Sequence, residues 1–514
     1  MILHDYLIEA ARRVPSKTAV IAETERVDYG TLLSRAERFA AAARAAGLKK
    51  ADRVVLFTDN SVGYVVAYFG TLLAGGVVVG QSTANKERHL ANIIRHSEAV
   101  GVVTAGRGLG LVNRIAADCP SLRFVFNDGP FGKIEPSHRL VAREFAEIDA
   151  TESGGAPGGA QDAGDLAQII YTSGTTGNPK GVALSHKNLS ANTASIVTYL
   201  GLTERDRVMV VMPFYYSYGN SLMLTHVACA GSLVIDNRFA YPQKIIERMA
   251  EEKVTGFSGV PSSFAILLHK AGLDGKKLPA LRYVTQAGGA MSPALTKELA
   301  ETLPGVAIFI MYGQTEASAR LSWLEPERLF HKLGSIGKAI PGVTLTVQNQ
   351  KGAPVEPGET GEIVARGDNV MAGYWRNDDA TAAVLKEDGL HTGDLATVDE
   401  DGFIYIVSRQ SDMIKSGAHR ISPKEIEEVI MESDSVHEVA VVGEDDALMG
   451  ENIVALVVAK PGEEVTSKDL MRLCGRHLPL YKLPKRIEFR DALPKTASGK
   501  IRKNLLRNEL AKTE

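Results

Sequence analysis

The sequence predicts an α/β protein with a large N-terminal domain, built from layered α/β subdomains and a small β unit, and a small α+β C-terminal domain. Three observations lead to this fold class. Helical and strand-like patterns alternate along the first part of the chain and again over residues 207–310, Gly- and Pro-containing turns become frequent over residues 335–406, and a new set of elements begins near Ser411. At 514 residues the chain is also too long for one hydrophobic core.

The first elements of the N-terminal domain follow from this alternation. Residues 31–46 and 63–74 have helical periodicity, whereas residues 53–58 and 77–80 are strand-like. Strands that alternate with helices are typical of parallel sheets covered by helices. Over residues 335–406, short strand-like runs between tight turns predict instead a small, mostly antiparallel β unit.

The C-terminal domain has its own helix and strand signals. The segment Ser422-Pro-Lys-Glu425 predicts a capping box with proline at the first helical position, opening a helix that ends at Met431. Two strands (438–442 and 452–459), a helix from about Lys468 and a basic helical tail over residues 500–512 complete the domain.

Composition excludes several classes of protein. The formal net charge is −3, so nothing indicates a nucleic-acid partner or an anionic membrane surface. The longest apolar stretch, residues 64–79, is interrupted by glycines and is too short for a membrane span, and the first residues lack the pattern of a signal peptide. The 3 cysteines lie far apart without metal-ligand spacing, which predicts a cytoplasmic location.

One loop has the composition of a polyphosphate site. Residues 171–181 read YTSGTTGNPKG and follow a strand-like run at 166–170. Their glycines allow backbone N–H groups to turn toward an anion, the hydroxyls add donors, and Lys180 adds a positive charge. The Walker spacing is absent, so this is a different kind of phosphate loop. After it, Ser185 is predicted to cap a helix that runs through Leu200 and stops at Gly201.

A second segment combines polar residues with a strand end. Residues 312–316 read YGQTE and come directly after the apolar run 306–311. Ligands of open α/β sheets bind at the carboxyl ends of strands, and a carboxylate there is suited to hold Mg²⁺ against phosphate oxygens. The segments at 286–290 (QAGGA), 391–394 (HTGD) and 494–500 (PKTASGK) are weak signals taken alone.

Taken together, these segments resemble the adenylate-forming (AMP-binding) superfamily, which includes acyl-CoA synthetases and stand-alone adenylation enzymes. The resemblance spans essentially the whole chain. It implies a division into an ATP- and carboxylate-binding core, residues 1–409, and a mobile C-terminal domain, residues 410–514, that carries a catalytic lysine. The residues implied to bind the nucleotide are Thr172, Ser173, Gly174, Thr175, Thr176, Gly177, Lys180, Gly288, Gly289, Ala290, Tyr312, Gly313, Gln314, Thr315, Asp394 and Arg409.

The resemblance also implies catalytic roles. Glu316 and Thr176 are expected to hold Mg²⁺, Asp394 and Arg409 the ribose, and Lys500 the meeting point of the substrate carboxylate and the α-phosphate. A cation between two anions lowers the barrier to their approach. The implied reaction is ATP-dependent formation of an acyl-adenylate with release of pyrophosphate, followed by acyl transfer to a thiol.

The acyl pocket is placed by the same resemblance at residues 213–219 (PFYYSYG), with Tyr216, Ser217, Gly219 and Met311 as lining residues. Many carboxylate–CoA ligases have histidine where Tyr216 stands, and simple core packing is the other interpretation of this tyrosine. No aspartate is present to pair with a substrate ammonium, which disfavours a free α-amino acid and leaves an imino acid open.

Two positions depart from the family pattern and leave the thiol acceptor open. Ser411 replaces the usual hinge residue, and Ala418 stands where a glycine commonly borders the pantetheine channel. Coenzyme A is the favoured acceptor, and the phosphopantetheine arm of an acyl or peptidyl carrier protein is the alternative. A non-catalytic nucleotide-binding protein is disfavoured, because the expected catalytic and binding residues are all present. The identity of the acid and the oligomeric state are left open.

Overall fold

The computed structural model describes residues 2–106, 108–133, 136–151, 161–172, 180–409, 412–416, 419–446, 450–496 and 501–511. The strands before residue 151 are β1 (Thr18–Ile21), β2 (Arg26–Asp28), β3 (Arg53–Phe57), β4 (Val77–Gly80), β5 (Ala99–Thr104), β6 (Phe124–Asn127) and β7 (Val141–Glu144). The helices of this part are α1 (Leu3–Arg13), α2 (Tyr29–Ala45), α3 (Val62–Leu73), α4 (Glu87–Ser97), α5 (Gly108–Ile115) and α6 (Phe145–Asp149).

The middle of the chain adds the remaining strands of the large domain. They are β8 (Leu166–Thr172), β9 (Lys180–Ser185), β10 (Arg207–Val210), β11 (Ser232–Ile235), β12 (Gly256–Gly259), β13 (Tyr283–Gln286), β14 (Ala307–Tyr312), β15 (Ser322–Leu324), β16 (Lys338–Ala339), β17 (Val343–Gln348), β18 (Gly361–Gly367), β19 (Gly373–Tyr374), β20 (Leu385–Lys386), β21 (Gly389–Val398) and β22 (Ile404–Arg409). The helices are α7 (His186–Leu200), α8 (Ser217–Ala228), α9 (Pro242–Glu251), α10 (Pro261–Ala271), α11 (Pro293–Thr302) and α12 (Asp378–Val384).

The C-terminal part contains β23 (Ile414–Ser416), β24 (His419–Ile421), β25 (Val436–Asp446), β26 (Gly450–Ala459) and β27 (Arg486–Phe489). Its helices are α13 (Pro423–Met431), α14 (Ser467–His477) and α15 (Lys503–Leu510).

Two mainly parallel sheets form the large domain. The first has the strand order β16-β15-β14-β13-β12-β10-β11-β1-β2, and the second has the order β19-β9-β8-β4-β3-β5-β6-β7. Every residue of α3 is buried, and the largest cluster of buried apolar side chains joins this helix to strands of both sheets. The alternation of helices and strands therefore predicted the layers correctly.

Two smaller sheets follow along the chain. Strands β17, β18, β20, β21 and β22 pair antiparallel, which confirms the predicted β unit. The C-terminal sheet has the order β24-β23-β26-β25, with β27 parallel to β26, and it packs its own apolar cluster with α13 and α14. A large N-terminal and a small C-terminal α/β unit are thus confirmed.

Helix starts show where local sequence signals succeed and fail. Ser185 caps α7 as predicted, with its hydroxyl accepting a hydrogen bond from the Asn188 N–H, and the helix ends before Gly201. The capping box predicted at Ser422 is wrong, although α13 has the predicted bounds. The Ser422 hydroxyl instead donates to the carbonyl of Val407 at 2.6 Å. The hydroxyl therefore bonds a carbonyl on β22 instead of accepting from an N–H of its own helix, and this bond ties α13 to the large domain.

Candidate active site

Three of the predicted site segments, residues 213–219, 286–290 and 312–316, lie at one edge of the first sheet. Strands β10, β12, β13 and β14 are parallel neighbours, so the loops that follow them leave the sheet on the same side. Helix α8 begins just after the loop that follows β10, the turn 287–290 follows β13, and the YGQTE segment begins at the last residue of β14. Sequence positions about 100 residues apart are thereby brought to a single edge.

Asp394 is held by two donors from different elements. The Tyr312 hydroxyl donates to Oδ2 at 2.6 Å, and Arg409 Nε donates to Oδ1 at 2.9 Å. Burial and the neighbouring Asp394 carboxylate raise the pKa of Tyr312 well above its ordinary value, so the phenol stays protonated and donates. The same carboxylate, despite burial, raises the pKa of Arg409. Three residues predicted to bind the nucleoside thus form one oriented cluster.

The strand segment around Asp394 is fixed by a second ionic group. His391 Nδ1 lies 2.8 Å from Glu362 Oε2, and its Nε2 lies 3.0 Å from Asp388 Oδ1. The other Glu362 oxygen accepts the N–H of Gly393 at 3.0 Å. Burial opposes the imidazolium, but the two carboxylates outweigh it and raise the pKa of His391 above its ordinary value.

This pKa shift predicts a pH-dependent contribution to stability. Because the folded-state pKa of His391 lies above the unfolded value of about 6.5, the stabilisation is complete below the unfolded value and is lost as the pH rises through the folded value. We expect His391→Gln to lower the free energy of unfolding more at pH 6 than at pH 8.5, as measured by urea unfolding. Equal losses at both pH values would contradict the assignment.

Glu316 is partnered by a residue that the motifs did not single out. The Tyr374 hydroxyl donates to Glu316 Oε1 at 2.8 Å, and the Lys180 ammonium lies 4.9 Å from the centre of the Tyr374 ring. Burial and the Glu316 carboxylate raise the pKa of Tyr374, which keeps this phenol a donor. A carboxylate from the first sheet and a lysine at the start of β9 in the second therefore meet around one tyrosine.

The backbone of the loop after β14 is fixed by buried amides. The side chain of Asn369 donates to the carbonyls of Ala317 and Arg320, and the side chain of Asn192 donates to the Arg320 carbonyl as well. Ala319 adopts a φ of +107°, a left-handed conformation that is costly for a residue with a Cβ. These contacts hold the loop, and with it Thr315 and Glu316, in place.

The acyl-pocket residues lie beside this loop. Ser217 opens α8, and its hydroxyl is 3.4 Å from that of Thr315. Tyr216 is half-buried with its ring 4.6 Å from that of Tyr215, and burial raises the pKa of Tyr216 to about 12. Gly219 is required because a Cβ there would lie 2.0 Å from the Pro213 carbonyl oxygen. Helix α8 therefore joins the predicted pocket to the predicted nucleotide site.

Met311 is buried, whereas the glycine turn at residues 288–290 lies at the surface. Met311 is buried, and its sulfur accepts a hydrogen bond from the Tyr199 hydroxyl at 3.0 Å. Gly288, Gly289 and Ala290 are exposed at the rim, where Gln286 Nε2 donates to the Gly289 carbonyl at 2.7 Å. The structure thus places the turn where a flat group has access to its backbone.

Gln314 has a polar atom without a protein partner. Its side-chain nitrogen is buried and finds no hydrogen-bond acceptor among the residues that the structure describes. Buried polar atoms of folded proteins are rarely left unpaired, which makes this nitrogen a candidate donor to a ligand.

Part of the predicted site lies outside the described residues. Thr172 ends β8 and Lys180 begins β9, which brackets the phosphate loop. The residues concerned are Ser173, Gly174, Thr175, Thr176, Gly177, Ser411, Ala418 and Lys500. Within the described ranges, no group of three or more His, Cys, Asp or Glu side chains is arranged to hold a metal ion.

Sequence reasoning missed Tyr374 and the two buried asparagines. Tyr374 lies in the segment 373–376 (GYWR) and belongs to β19, the edge strand of the second sheet, and Asn369 lies in an ordinary turn. Each acts on a residue more than 45 positions away, since Tyr374 is 58 residues from Glu316 and Asn369 is 52 from Ala317. For Tyr374, the available signal in the sequence was a tyrosine followed by tryptophan and arginine. The sequence did not indicate that its partner would be Glu316.

The comparisons with known proteins agree with this geometry. The model of the AMP-binding enzyme family matches residues 7–375, and that of the AMP-binding enzyme C-terminal domain matches residues 425–500. A long-chain-fatty-acid–CoA ligase of Bacillus subtilis (strain 168) is 31% identical over 99% of this chain and 94% of its own length. A feruloyl-CoA synthase of an Amycolatopsis species is 32% identical over 98% of both chains. The crystal structure of ATP-bound MatB from Rhodopseudomonas palustris has a TM-score of 0.90 and 30% identity, covering 100% of both chains.

The chain therefore belongs to the AMP-binding enzyme family of adenylate-forming enzymes. Its activity is that of an AMP-forming acid–thiol ligase of the acyl-CoA synthetase type, which activates a carboxylate with ATP as an acyl-adenylate. In the part of the chain that the structure describes, no helix is long and apolar enough to cross a bilayer.

Proposed function

We propose that this enzyme transfers its acyl group to coenzyme A, and that the reaction takes place at a site formed around the carboxylates of Glu316 and Asp394. The observation that carries the proposal is the pair of oriented carboxylates beside the acyl pocket. Asp394 is fixed by Tyr312 and Arg409, and Glu316 is fixed by Tyr374. The names of the two relatives above identify them as a CoA ligase and a CoA synthase, which supports coenzyme A as the acceptor here.

Asp394 is the proposed ribose ligand. Each of its oxygens already accepts one hydrogen bond, which fixes the plane of the carboxylate and leaves further lone pairs for ribose hydroxyls. Tyr312 lies beside it at the strand end, where its ring is placed to contact the base. The buried side-chain nitrogen of Gln314 supplies a donor for an acceptor atom of the nucleotide.

Glu316 is the proposed Mg²⁺ ligand, together with Thr176. The fit rests on the exposed side of the Glu316 carboxylate, since one oxygen accepts from Tyr374 and the residue is only partly buried. Bound Mg²⁺ would neutralise phosphate oxygens and orient the triphosphate. Lys180, with the hydroxyls of Thr172, Ser173, Thr175 and Thr176 and the loop glycines, is proposed to bind the β- and γ-phosphates.

The first chemical step joins the two halves of the site. A carboxylate oxygen of the acid attacks the α-phosphorus, the bond to the β-phosphate oxygen breaks, and pyrophosphate leaves with the electron pair. The hydroxyl of Ser217, a predicted acyl-pocket residue, lies 3.4 Å from that of Thr315, a predicted nucleotide-binding residue. This short distance supports placing the reacting carboxylate beside these two hydroxyls, next to the nucleotide. Lys500 is proposed to bridge the carboxylate and the phosphate, where its charge offsets the meeting of two anions.

The second step uses the thiol of coenzyme A. The thiolate attacks the acyl carbon, the bond to the phosphate oxygen breaks, and AMP leaves. We propose that the C-terminal domain, residues 410–514, moves between the two steps relative to residues 1–409, because Lys500 is needed for the first step and its removal would make room for the second. The cytoplasmic location remains a prediction from cysteine chemistry, and the cysteines Cys119, Cys229 and Cys474 are free and buried.

Pyrophosphate exchange tests the proposal. The enzyme would be assayed with short, medium-length, aromatic and imino acids, beside Lys500→Ala and the matched control Lys495→Ala, whose lysine is exposed in the same segment. Exchange stimulated by one class of acid, lost in the first variant and kept in the second, supports adenylation through Lys500. If AMP is released only when coenzyme A is added, coenzyme A is the thiol acceptor. If AMP is released only when a carrier protein is added, the carrier protein is the acceptor instead. No exchange with any acid would refute the function.

A further inference from the structure

Arg320 is a buried cation next to helix α8, which carries predicted acyl-pocket residues. It follows the YGQTE loop, and only 3% of its surface is exposed. Its guanidinium lies 4.1 Å from the centre of the Tyr218 ring, and its Nη1 donates to the adjacent Ala319 carbonyl at 3.2 Å. An arginine at this position is therefore removed from solvent as thoroughly as the apolar core.

This guanidinium lacks the carboxylate partner that two more exposed arginines of the protein have. Arg282 pairs with Asp206 at 2.6 Å, and Arg409 pairs with Asp394 at 2.9 Å. Within the described ranges, Arg320 forms no ion pair with a carboxylate, and its Nε has no hydrogen-bond acceptor. A buried charge without a counter-ion is costly, so proteins keep one mainly where a ligand supplies the missing charge.

The position of Tyr218 locates the charge within the site. Tyr218 is the second residue of α8, next to Ser217, and its hydroxyl is 2.9 Å from both oxygens of Thr285, one residue before the end of β13. The Arg320 guanidinium on its ring thus lies at the strand ends from which the pocket loops leave. The Ser217 hydroxyl lies near that of Thr315, and Arg320 lies against the ring of the next residue of α8.

Apolar and aromatic groups surround the charge. Tyr199 is stacked on Trp323 with ring centres 4.9 Å apart, and its hydroxyl donates to the sulfur of Met311. Together with Tyr218 these side chains belong to one cluster of buried or partly buried apolar residues. In such surroundings a guanidinium interacts strongly with an anion, because little water competes for it.

We propose that Arg320 binds a second carboxylate at the far end of the substrate, so that the acids this enzyme activates are dicarboxylic. The inference rests on the proposed function, since it assigns the acid bound at that site. One carboxylate reacts near Thr315, and the other pairs with the planar guanidinium, whose fork of donors matches carboxylate geometry. A monocarboxylic acid of the same length would leave the guanidinium unpaired, and the site would select against it.

The test compares diacids with monoacids of matched length. Pyrophosphate exchange would be measured with succinate, glutarate, adipate and terephthalate, each beside its monoacid: butyrate, pentanoate, hexanoate and 4-methylbenzoate. We expect the best diacid to exceed its monoacid by about 100-fold in kcat/KM. Arg320→Met is expected to lower kcat/KM for that diacid by about 100-fold and to leave or raise the value for the monoacid, while Arg320→Lys retains part of the preference.

The controls separate recognition from folding. Arg114→Met removes an arginine whose partner is Glu87 on the surface, and it should leave both values unchanged. Unfolding by urea is measured for each variant, and if Arg320→Met does not fold, the wild-type panel decides alone. A wild-type preference for monoacids, or equal losses for both acids in Arg320→Met, would overturn the inference and leave the function standing. No exchange with any acid would overturn both.

Discussion

Glu316→Gln is expected to reduce pyrophosphate exchange by about 100- to 1000-fold, equivalent to about 3–4 kcal/mol of transition-state stabilisation. The amide keeps the shape of the side chain and an oxygen that can accept from Tyr374. The substitution removes the negative charge of the side chain, however. A neutral amide binds Mg²⁺ more weakly than the carboxylate that it replaces. The loss should therefore appear in the steps that depend on the metal rather than in folding.

Magnesium titrations distinguish this effect from simple damage. In Glu316→Gln, the Mg²⁺ concentration for half-maximal exchange should rise, and calorimetry should show ATP binding that no longer strengthens when Mg²⁺ is added. Tyr374→Phe is the matched control, since it removes the hydrogen bond to Glu316 but keeps the carboxylate and the ring beside Lys180. We expect it to stay within about tenfold of the wild type, the loss of one hydrogen bond. An unchanged Mg²⁺ dependence in Glu316→Gln would refute the metal role.

The sequence predicted those parts of the fold whose causes are local. Strand β4 was placed at its observed bounds, because its apolar run is bounded by glycines. Helix α7 was placed through its serine cap and its terminal glycine, both of which act within one turn. The segments bearing Tyr312 and Asp394 were found for the same reason, since each motif is contiguous.

The remaining features depend on contacts between distant segments. Ser422 carries a correct helix-start signal, yet its hydroxyl is taken by Val407 on the neighbouring strand. Tyr374 becomes part of the site only because β19 pairs with β9, which brings residue 374 beside Lys180. Arg320 would be assigned to the surface from its residue type, and only the packing of α7 and α8 around it reveals a buried charge. No pattern along the chain encodes these partners.

Several of these distant contacts converge on the loop after β14. Glu316 is held from outside by Tyr374, and its own carbonyl accepts the N–H of Met371 at 2.8 Å. The side chains of Asn192 and Asn369 fix the other end of the loop, because both donate hydrogen bonds to the Arg320 carbonyl. The proposed metal ligand Glu316 at one end and the buried guanidinium at the other are thus parts of one rigid element. A change in the backbone of this loop should affect both.

Gly313→Ala is expected to be a severely damaging small substitution in the site. A Cβ at this position would lie 2.1 Å from the Ala319 carbonyl oxygen and 2.8 Å from the Arg320 Cα, both backbone atoms. They cannot withdraw easily, because Asn192 and Asn369 hold the Arg320 carbonyl. We expect the free energy of unfolding to fall by about 1–3 kcal/mol or more, as for other overpacked cores. Displacement of Thr315 and Glu316 should lower exchange by about 10- to 100-fold.

The control for Gly313→Ala is a glycine with room for a methyl group. Gly475 is exposed within α14, and no atom would lie within 4 Å of an added Cβ. Gly475→Ala should therefore raise the free energy of unfolding by about 0.5–1 kcal/mol through helix propensity and leave exchange unchanged. Urea unfolding and pyrophosphate exchange would be measured for both variants in parallel. If Gly313→Ala matched Gly475→Ala in both measurements, the loop after β14 would be pliable, and the rigid coupling of Glu316 to Arg320 would be wrong.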